Sequence, residues 1–294
     1  MTNLNICPSG SVIGARVLNV SLCDVPSAGT VEEIEQALEN YGVLVFPNQS
    51  PKPQQLIDFS AVFAPLEKTE LEKARLEGFE EIFVVGNVGK GLVSFAPKDD
   101  QQELEWHTDH IHHDIAAKAS LLYALEVPEH GGDTLFACMY SAYNSLSTEQ
   151  QQLYCTLDVI NSASGLEHYL AEQNLGNTNS VTKSRSHKQV LRPLVREHPV
   201  TGRRSLYFGN QVSIGIAGWE TTRARTFIQE LTTHACQTAF QYRHQWKAGD
   251  AVLWDNRRVL HAGTPYDVEN SRRLMYRTTF RETVPIERIG LQKQ

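Results

Sequence analysis

Trp106-His107-Thr108-Asp109 sets a histidine and a carboxylate two residues apart. In an extended segment, side chains at i and i+2 leave the same face, so His107 and Asp109 can converge on one ion. A third ligand must come from elsewhere. His261 offers it, in AVLWDNRRVLHAGTPYD, just after an apolar strand that ends in turn residues. Two histidines and one carboxylate on one face of a metal leave its other positions open, which suits iron(II) that must also bind an oxidant and O2. A closed structural zinc site would use all four of its positions. An isolated H-x-D is a weak signal, because most such residues are surface polar groups. The chain also holds 11 histidines; His110, His112 and His113, directly after the motif, read as loop or supporting residues rather than ligands.

A basic strand downstream adds weight. In Arg272-Arg273-Leu274-Met275-Tyr276-Arg277-Thr278-Thr279-Phe280-Arg281, an extended backbone puts Arg273 and Arg277 on the face of Met275. A guanidinium fork aimed into a pocket is a natural bidentate partner for a carboxylate, so one of them could anchor a dicarboxylic acid. The alternative is an edge strand kept polar against aggregation.

These residues need a frame to hold them. Thr30 to Glu39 has Val31, Ile34 and Leu38 on one helical face, with Thr30 and Glu33 at capping-box spacing. Val43 to Phe46 reads as a short buried strand, Pro53 to Phe63 as an amphipathic helix and Glu81 to Val85 as another strand. From Ala119 the pattern turns to short strands between turn signals: SLLYALEV, TLFAC, RSLYF, HQWKAGD, AVLWD and RLMYRTTFR. Such spacing predicts an antiparallel sandwich or jelly roll. Ser141 to Thr156 and Glu220 to Gln237 are predicted as helices outside it. Residues 165–193 are polar with weak periodicity and are expected to form a long loop over a site, a candidate lid. No repeat or linker marks a boundary, so one domain over 1–294 is expected.

Composition narrows the partners. Hydrophobic residues make up 41% and charged residues 21%, the balance of a soluble globular chain. A net charge of -7 argues against nucleic acid, whose phosphates need a concentrated positive surface. Five scattered cysteines without a C-x-x-C pair suit a reducing cytoplasm better than a disulfide framework. The opening MTNLNICPSGSVIGARV has no basic region leading into an apolar stretch, and no window approaches the roughly 18 apolar residues of a membrane span, so neither export nor insertion is expected.

Taken together, WHTD (106–109), LLYALEVPEHGGDTLFACMYSAYNSL (121–146), REHPVTGRRSLYF (196–208), GDAVLWDNRRVLHAG (249–263) and RRLMYR (272–277) resemble the taurine dioxygenase and 2,4-D dioxygenase family of iron(II)/2-oxoglutarate oxygenases, in order and spacing. The resemblance implies a mainly β fold with flanking helices, a double-stranded β-helix or distorted jelly roll. It implies His107, Asp109 and His261 as iron ligands, Thr134 and Arg273 as anchors of the distal carboxylate of 2-oxoglutarate, and Arg277 facing an anionic group of the substrate. One extra residue between His261 and the arginine pair leaves Arg272 as the fallback for Arg273. The implied reaction hydroxylates a small organic substrate while 2-oxoglutarate and O2 become succinate and CO2; Asp109 argues against halogenation. Desaturation, epoxidation or cyclisation at the same site, a catalytically idle jelly-roll binder and a hydrolytic zinc enzyme are the competing readings. Departures concern the substrate. Thr69 and Glu72 stand where the taurine enzyme has a His and a Tyr, Glu103 replaces an Asn, and Val212 lies near a lost pocket phenylalanine. A bulkier substrate is therefore expected, with an amine or hydroxyl meeting Glu103. The family often forms homo-oligomers.

Overall fold

Val43 to Phe46 is buried at all four positions, as a strand covered on both faces must be. The computed structural model describes residues 4–69, 71–88, 105–165 and 188–286. In chain order its strands are β1 (Ile6–Pro8), β2 (Ala15–Val17), β3 (Val43–Phe46), β4 (Arg75–Leu76), β5 (Phe79–Gly86), β6 (Ala117–Glu126), β7 (Thr134–Cys138) and β8 (Asp158–Ser162). There follow β9 (Gln189–Pro193), β10 (Val195–Glu197), β11 (Arg204–Leu206), β12 (Ser213–Ile216), β13 (Gln241–His244), β14 (Ala251–Asp255), β15 (Val259–Gly263) and β16 (Leu274–Arg281). The helices are α1 (Ala28–Tyr41), α2 (Pro53–Ala61), α3 (Met139–Asn144), α4 (Thr148–Tyr154) and α5 (Thr221–Ala235).

Eight strands form one sheet in the order β1-β2-β3-β14-β6-β16-β5-β4, and β13-β7-β15 form a smaller one. Late strands thus insert between early ones, with β14 antiparallel to β3 and β6, and β16 antiparallel to β6 and β5. This interleaving is the jelly roll expected from the sequence. Side-chain parity divides the layers. Val43, Val45, Leu122, Val252, Trp254 and Met275 of the large sheet meet Phe136, Cys138 and Val259 of the small one in the inner core. Their neighbours Leu44, Phe46, Leu121, Leu253 and Phe280 turn outward beneath α1 and α2. The outer face of the small sheet, Leu135, Ala137, Leu260 and Ala262, packs with residues of α3, α4 and α5. Alternation along each strand therefore decides which side chains reach the interior of the roll.

Several sequence expectations shift locally. The cap of α1 is Ser27, whose hydroxyl accepts from Thr30 N–H, so the helix starts before Thr30; it ends on Gly42 at φ 71. The stretch 141–156 is two helices, because Ser147 and Gln150 form a capping box that opens α4. Strand β13 stops at His244, and Lys247 to Asp250 instead turn the chain into β14, with Asp250 accepting from Lys247 N–H and Gly249 at φ 88. Within the expected lid, residues 166–187 lie outside the described residues, while Gln189–Pro193 pair with β8.

Candidate active site

His107 joins the end of β15 by a two-way backbone bridge: His107 N–H donates to His261 O at 3.0 Å and His261 N–H to His107 O at 2.8 Å. Trp106 goes to the outer core, which turns its neighbours Glu105 and His107 inward. The result is that one ligand atom each from His107, Asp109 and His261 lies within 4.8 Å of the others. The pairing of distant segments, and not the H-x-D spacing alone, brings the third residue in.

Tautomers follow from the hydrogen bonds. His107 Nδ1 donates to the carbonyl of Glu105 at 2.8 Å, which leaves Nε2 with its lone pair free. His261 directs Nε2 toward Asp109 Oδ2 at 4.0 Å, with its ring beside Trp254. Burial pushes both imidazoles toward the neutral form, His261 strongly, with mutual repulsion adding at His261. Burial would raise Asp109, but the Arg277 guanidinium and then the neighbouring imidazoles outweigh it and hold the carboxyl ionised. Two neutral imidazoles and one carboxylate are the donor set a divalent metal requires.

Asp109 is held from two sides. Ser120 Oγ donates to Oδ2 at 2.6 Å and Arg277 Nη1 to Oδ1 at 2.8 Å. Behind them Asn256 takes hydrogen bonds at Oδ1 from Asp109 N–H (3.2 Å) and Trp254 Nε1 (2.9 Å), while its Nδ2 donates to Ser120 Oγ (2.9 Å). Thr108 Oγ1 donates to the Asn256 carbonyl at 2.7 Å. Nothing in the sequence singled out Asn256 or Ser120; the only clue was the position of Asn256 on the turn five residues before His261.

His107 and His261 open onto a cleft lined also by Glu105, Leu122, Thr134 and Arg273, among others. Thr134 accepts from Trp246 Nε1 at 2.9 Å, so its own hydroxyl hydrogen can be donated into the cleft. Arg273 is buried, its Nε lacks a partner, and burial pushes its pKa down to about 10. Its backbone is clasped by Asn87, and a Cβ on Gly86 would stand 1.9 Å from Arg273 O, so only glycine admits this approach. Arg272, the fallback, points the other way and pairs with Glu126 at 2.6 Å in solvent.

Arg277 borders this cleft and a neighbouring one lined by Glu67, Lys68, Thr69, Phe83, His110 and His113, and its guanidinium stacks on Phe83. Glu67, His110 and His113 also bring ligand atoms within 4.8 Å of one another, beside two cationic side chains that oppose a metal there. Glu103 lies outside the described residues. Val212 packs with Ile111 and Tyr207 and is not among the residues lining either cleft. Glu105, which the sequence reading passed over, does line it; its spacing of two from His107 was the available signal.

The profile of the taurine catabolism dioxygenase TauD, TfdA family matches residues 5–279. The chain belongs to the TauD/TfdA family. Among its TauD/TfdA relatives, the (S)-phenoxypropionate/alpha-ketoglutarate-dioxygenase of Sphingobium herbicidovorans is 33% identical, covering 91% of this chain and 92% of that protein. The alpha-ketoglutarate-dependent 2,4-dichlorophenoxyacetate dioxygenase of Cupriavidus pinatubonensis is 33% identical over 94% of this chain and 98% of its own. Among solved structures, AAD-2 in complex with Mn(II) and N-oxalylglycine matches with a TM-score of 0.79 and 29% identity, covering 97% of this chain and 100% of that one. Among the described residues of this TauD/TfdA chain, no helix is long and apolar enough to cross a membrane.

Proposed function

We propose that this chain is an iron(II)- and 2-oxoglutarate-dependent dioxygenase that hydroxylates a small organic acid, with His107, Asp109 and His261 as the metal ligands. The observation that carries the reading is the neutral-histidine and carboxylate cluster opening into a cleft whose wall bears a buried, partly unpaired Arg273. An unpaired buried guanidinium calls for an anion, and a dicarboxylate reaching back to the metal supplies one. Thr134 would donate to the same distal carboxylate. Bound iron would supply the activation of O2 coupled to oxidative decarboxylation of 2-oxoglutarate.

The protein's own part is to position and to exclude. Ser120, Asn256 and Arg277 hold Asp109 in one orientation, in which it would bind the metal together with His107 and His261. Trp254, Leu122 and Val85 keep its wall apolar and limit water beside the reacting centre. Arg277, half shared between the two clefts, would steer an anionic substrate group toward the metal. The relatives named for phenoxypropionate and 2,4-dichlorophenoxyacetate support an organic anion as substrate. A single domain acting in the cytoplasm completes this reading, and hydroxylation is its default outcome.

Anaerobic protein with iron(II) and 2-oxoglutarate should show the weak visible charge-transfer band of a metal-bound 2-keto acid. His107→Ala should abolish it, and Arg273→Ala should require far more 2-oxoglutarate to produce it. Bound iron with no such band would overturn the cosubstrate assignment.

A further inference from the structure

Buried polar atoms normally find partners, so exceptions are informative where they gather. Around the main cleft, Oε1 and Oε2 of Glu105, Nδ1 of His261 and Nε of both Arg273 and Arg277 are buried without a hydrogen-bond partner among the described residues. A 2-oxoglutarate dianion answers Arg273 and the anionic group of the substrate answers Arg277, because both offer only acceptor oxygens. A carboxylate anion cannot fully answer Glu105, because a carboxyl in either protonation state keeps an acceptor oxygen that needs a donor. Nor does the metal cluster claim this residue, since its ligand atoms come from His107, Asp109 and His261. Glu105 is 2% exposed, makes no ion pair among the described residues, and projects from the same face as His107 into the cleft. Burial pushes its carboxyl well above the usual carboxylate range, and even a neutral carboxyl is unfavourable when buried with neither oxygen satisfied. Of the components the reaction needs, only the primary substrate is left to supply a donor.

We propose that Glu105 is the subsite for a hydrogen-bond-donating group of the primary substrate, which is therefore a small organic acid that also carries an amino or hydroxyl group. The inference rests on the dioxygenase reading above and assigns the second pole of its substrate. Arg277 takes the anion and Glu105 the donor, so the two poles set how the molecule lies across the metal centre.

The test uses the full chain loaded anaerobically with Mn(II) and 2-oxoglutarate, whose own dissociation constant is measured first. Failure of 2-oxoglutarate to bind would sink the dioxygenase reading and is thereby separated from failure of this one. Two probe sets are then titrated calorimetrically: 2-aminoethanesulfonate, 2-hydroxyethanesulfonate and propane-1-sulfonate, and the 4-amino, 4-hydroxy and 4-methyl derivatives of phenoxyacetate. Each set keeps the anion and changes only the donor. In at least one set, the wild type should bind a donor-bearing probe about tenfold or more tighter than its methyl counterpart. Whether the amino or the hydroxyl probe leads identifies the group. Glu105→Met should lose the preference while 2-oxoglutarate affinity stays within about twofold, and Glu105→Gln, which keeps an acceptor, should retain part of it. Metal-free Glu105→Met should also melt a few degrees above wild type, because the unpaired carboxyl is gone; a structural carboxyl would give the opposite shift. The proposal is overturned by equal affinities for donor and methyl probes in the wild type, absence of all binding included. An unchanged preference in both variants, or a loss of melting temperature or 2-oxoglutarate affinity in both, overturns it equally.

Discussion

Asp255 and Asp109 are both buried carboxylates held below their usual range by basic neighbours, yet their surroundings differ in kind. Asp255 accepts from Arg257 N–H (2.9 Å), Nε (2.8 Å) and Nη2 (2.9 Å), and from His198 Nε2 (2.9 Å). Every direction of approach is taken. Asp109 accepts from Ser120 and Arg277 and otherwise faces the imidazoles of His107 and His261, which line the cleft. Both hang on the turn from β14 to β15, where Asp255 and Arg257 bond to each other and Asn256 serves Asp109. A closed network holds the turn still; an open one, braced by that turn, can receive a ligand.

The largest effect should come from breaking the closed side. Asp255→Ala would strand a buried guanidinium and is expected to remove about 3–5 kcal/mol of stability, read by chemical denaturation of the metal-free protein. If Asp255→Ala left stability untouched while metal binding fell, the division between the two networks would be wrong. On the open side, Arg273→Ala should weaken 2-oxoglutarate binding by about 2–5 kcal/mol, whereas Arg272→Ala should leave it unchanged. Equilibrium titration of 2-oxoglutarate against both variants checks this, and equal losses would put the anchor elsewhere.

The brace between the two networks should matter less than either. Asn256→Ala removes the acceptor of Asp109 N–H and Trp254 Nε1 and the donor to Ser120, so metal affinity should fall about 10–100-fold while the fold persists. Mn(II) titration measures it, and Asn256→Asp, which keeps the acceptor, should recover part of the loss. The smallest effect is linked to pH. Burial lowers the His198 pKa below 6.5, with Asp255 only partly opposing. Above 6.5 neither folded nor unfolded His198 holds the extra proton. As pH falls below 6.5 the unfolded chain takes it up and the folded chain resists, so stability drops until the folded pKa is reached. Thermal melts of wild type and His198→Gln from pH about 7 to 5.5 should diverge by no more than about 1 kcal/mol, with the wild type falling faster.

Much of the site was legible because parity in a strand is local. The i, i+2 spacing of His107 and Asp109, and the shared face of Arg273, Met275 and Arg277, follow from backbone geometry alone. That same parity separates Arg273 in the cleft from Arg272 in solvent. It pointed equally to Glu105, but a glutamate beside a masking tryptophan carries no sign of burial in its own letters. Helix bounds moved for a related reason: Ser27, not Thr30, caps α1, because the choice between adjacent capping residues depends on which one the packed helix leaves at its end.

What the sequence determined by itself was therefore the order of the elements, the sides on which their residues lie and the kind of chemistry those residues can do. Only the tertiary structure decided which of them meet. His261 reaches His107 through a bridge across 154 positions of chain, Asn256 braces Asp109 across 147, and Glu105 is left without a partner among the described residues. Whether a buried polar group is satisfied depends on what the fold brings beside it, which no local pattern records.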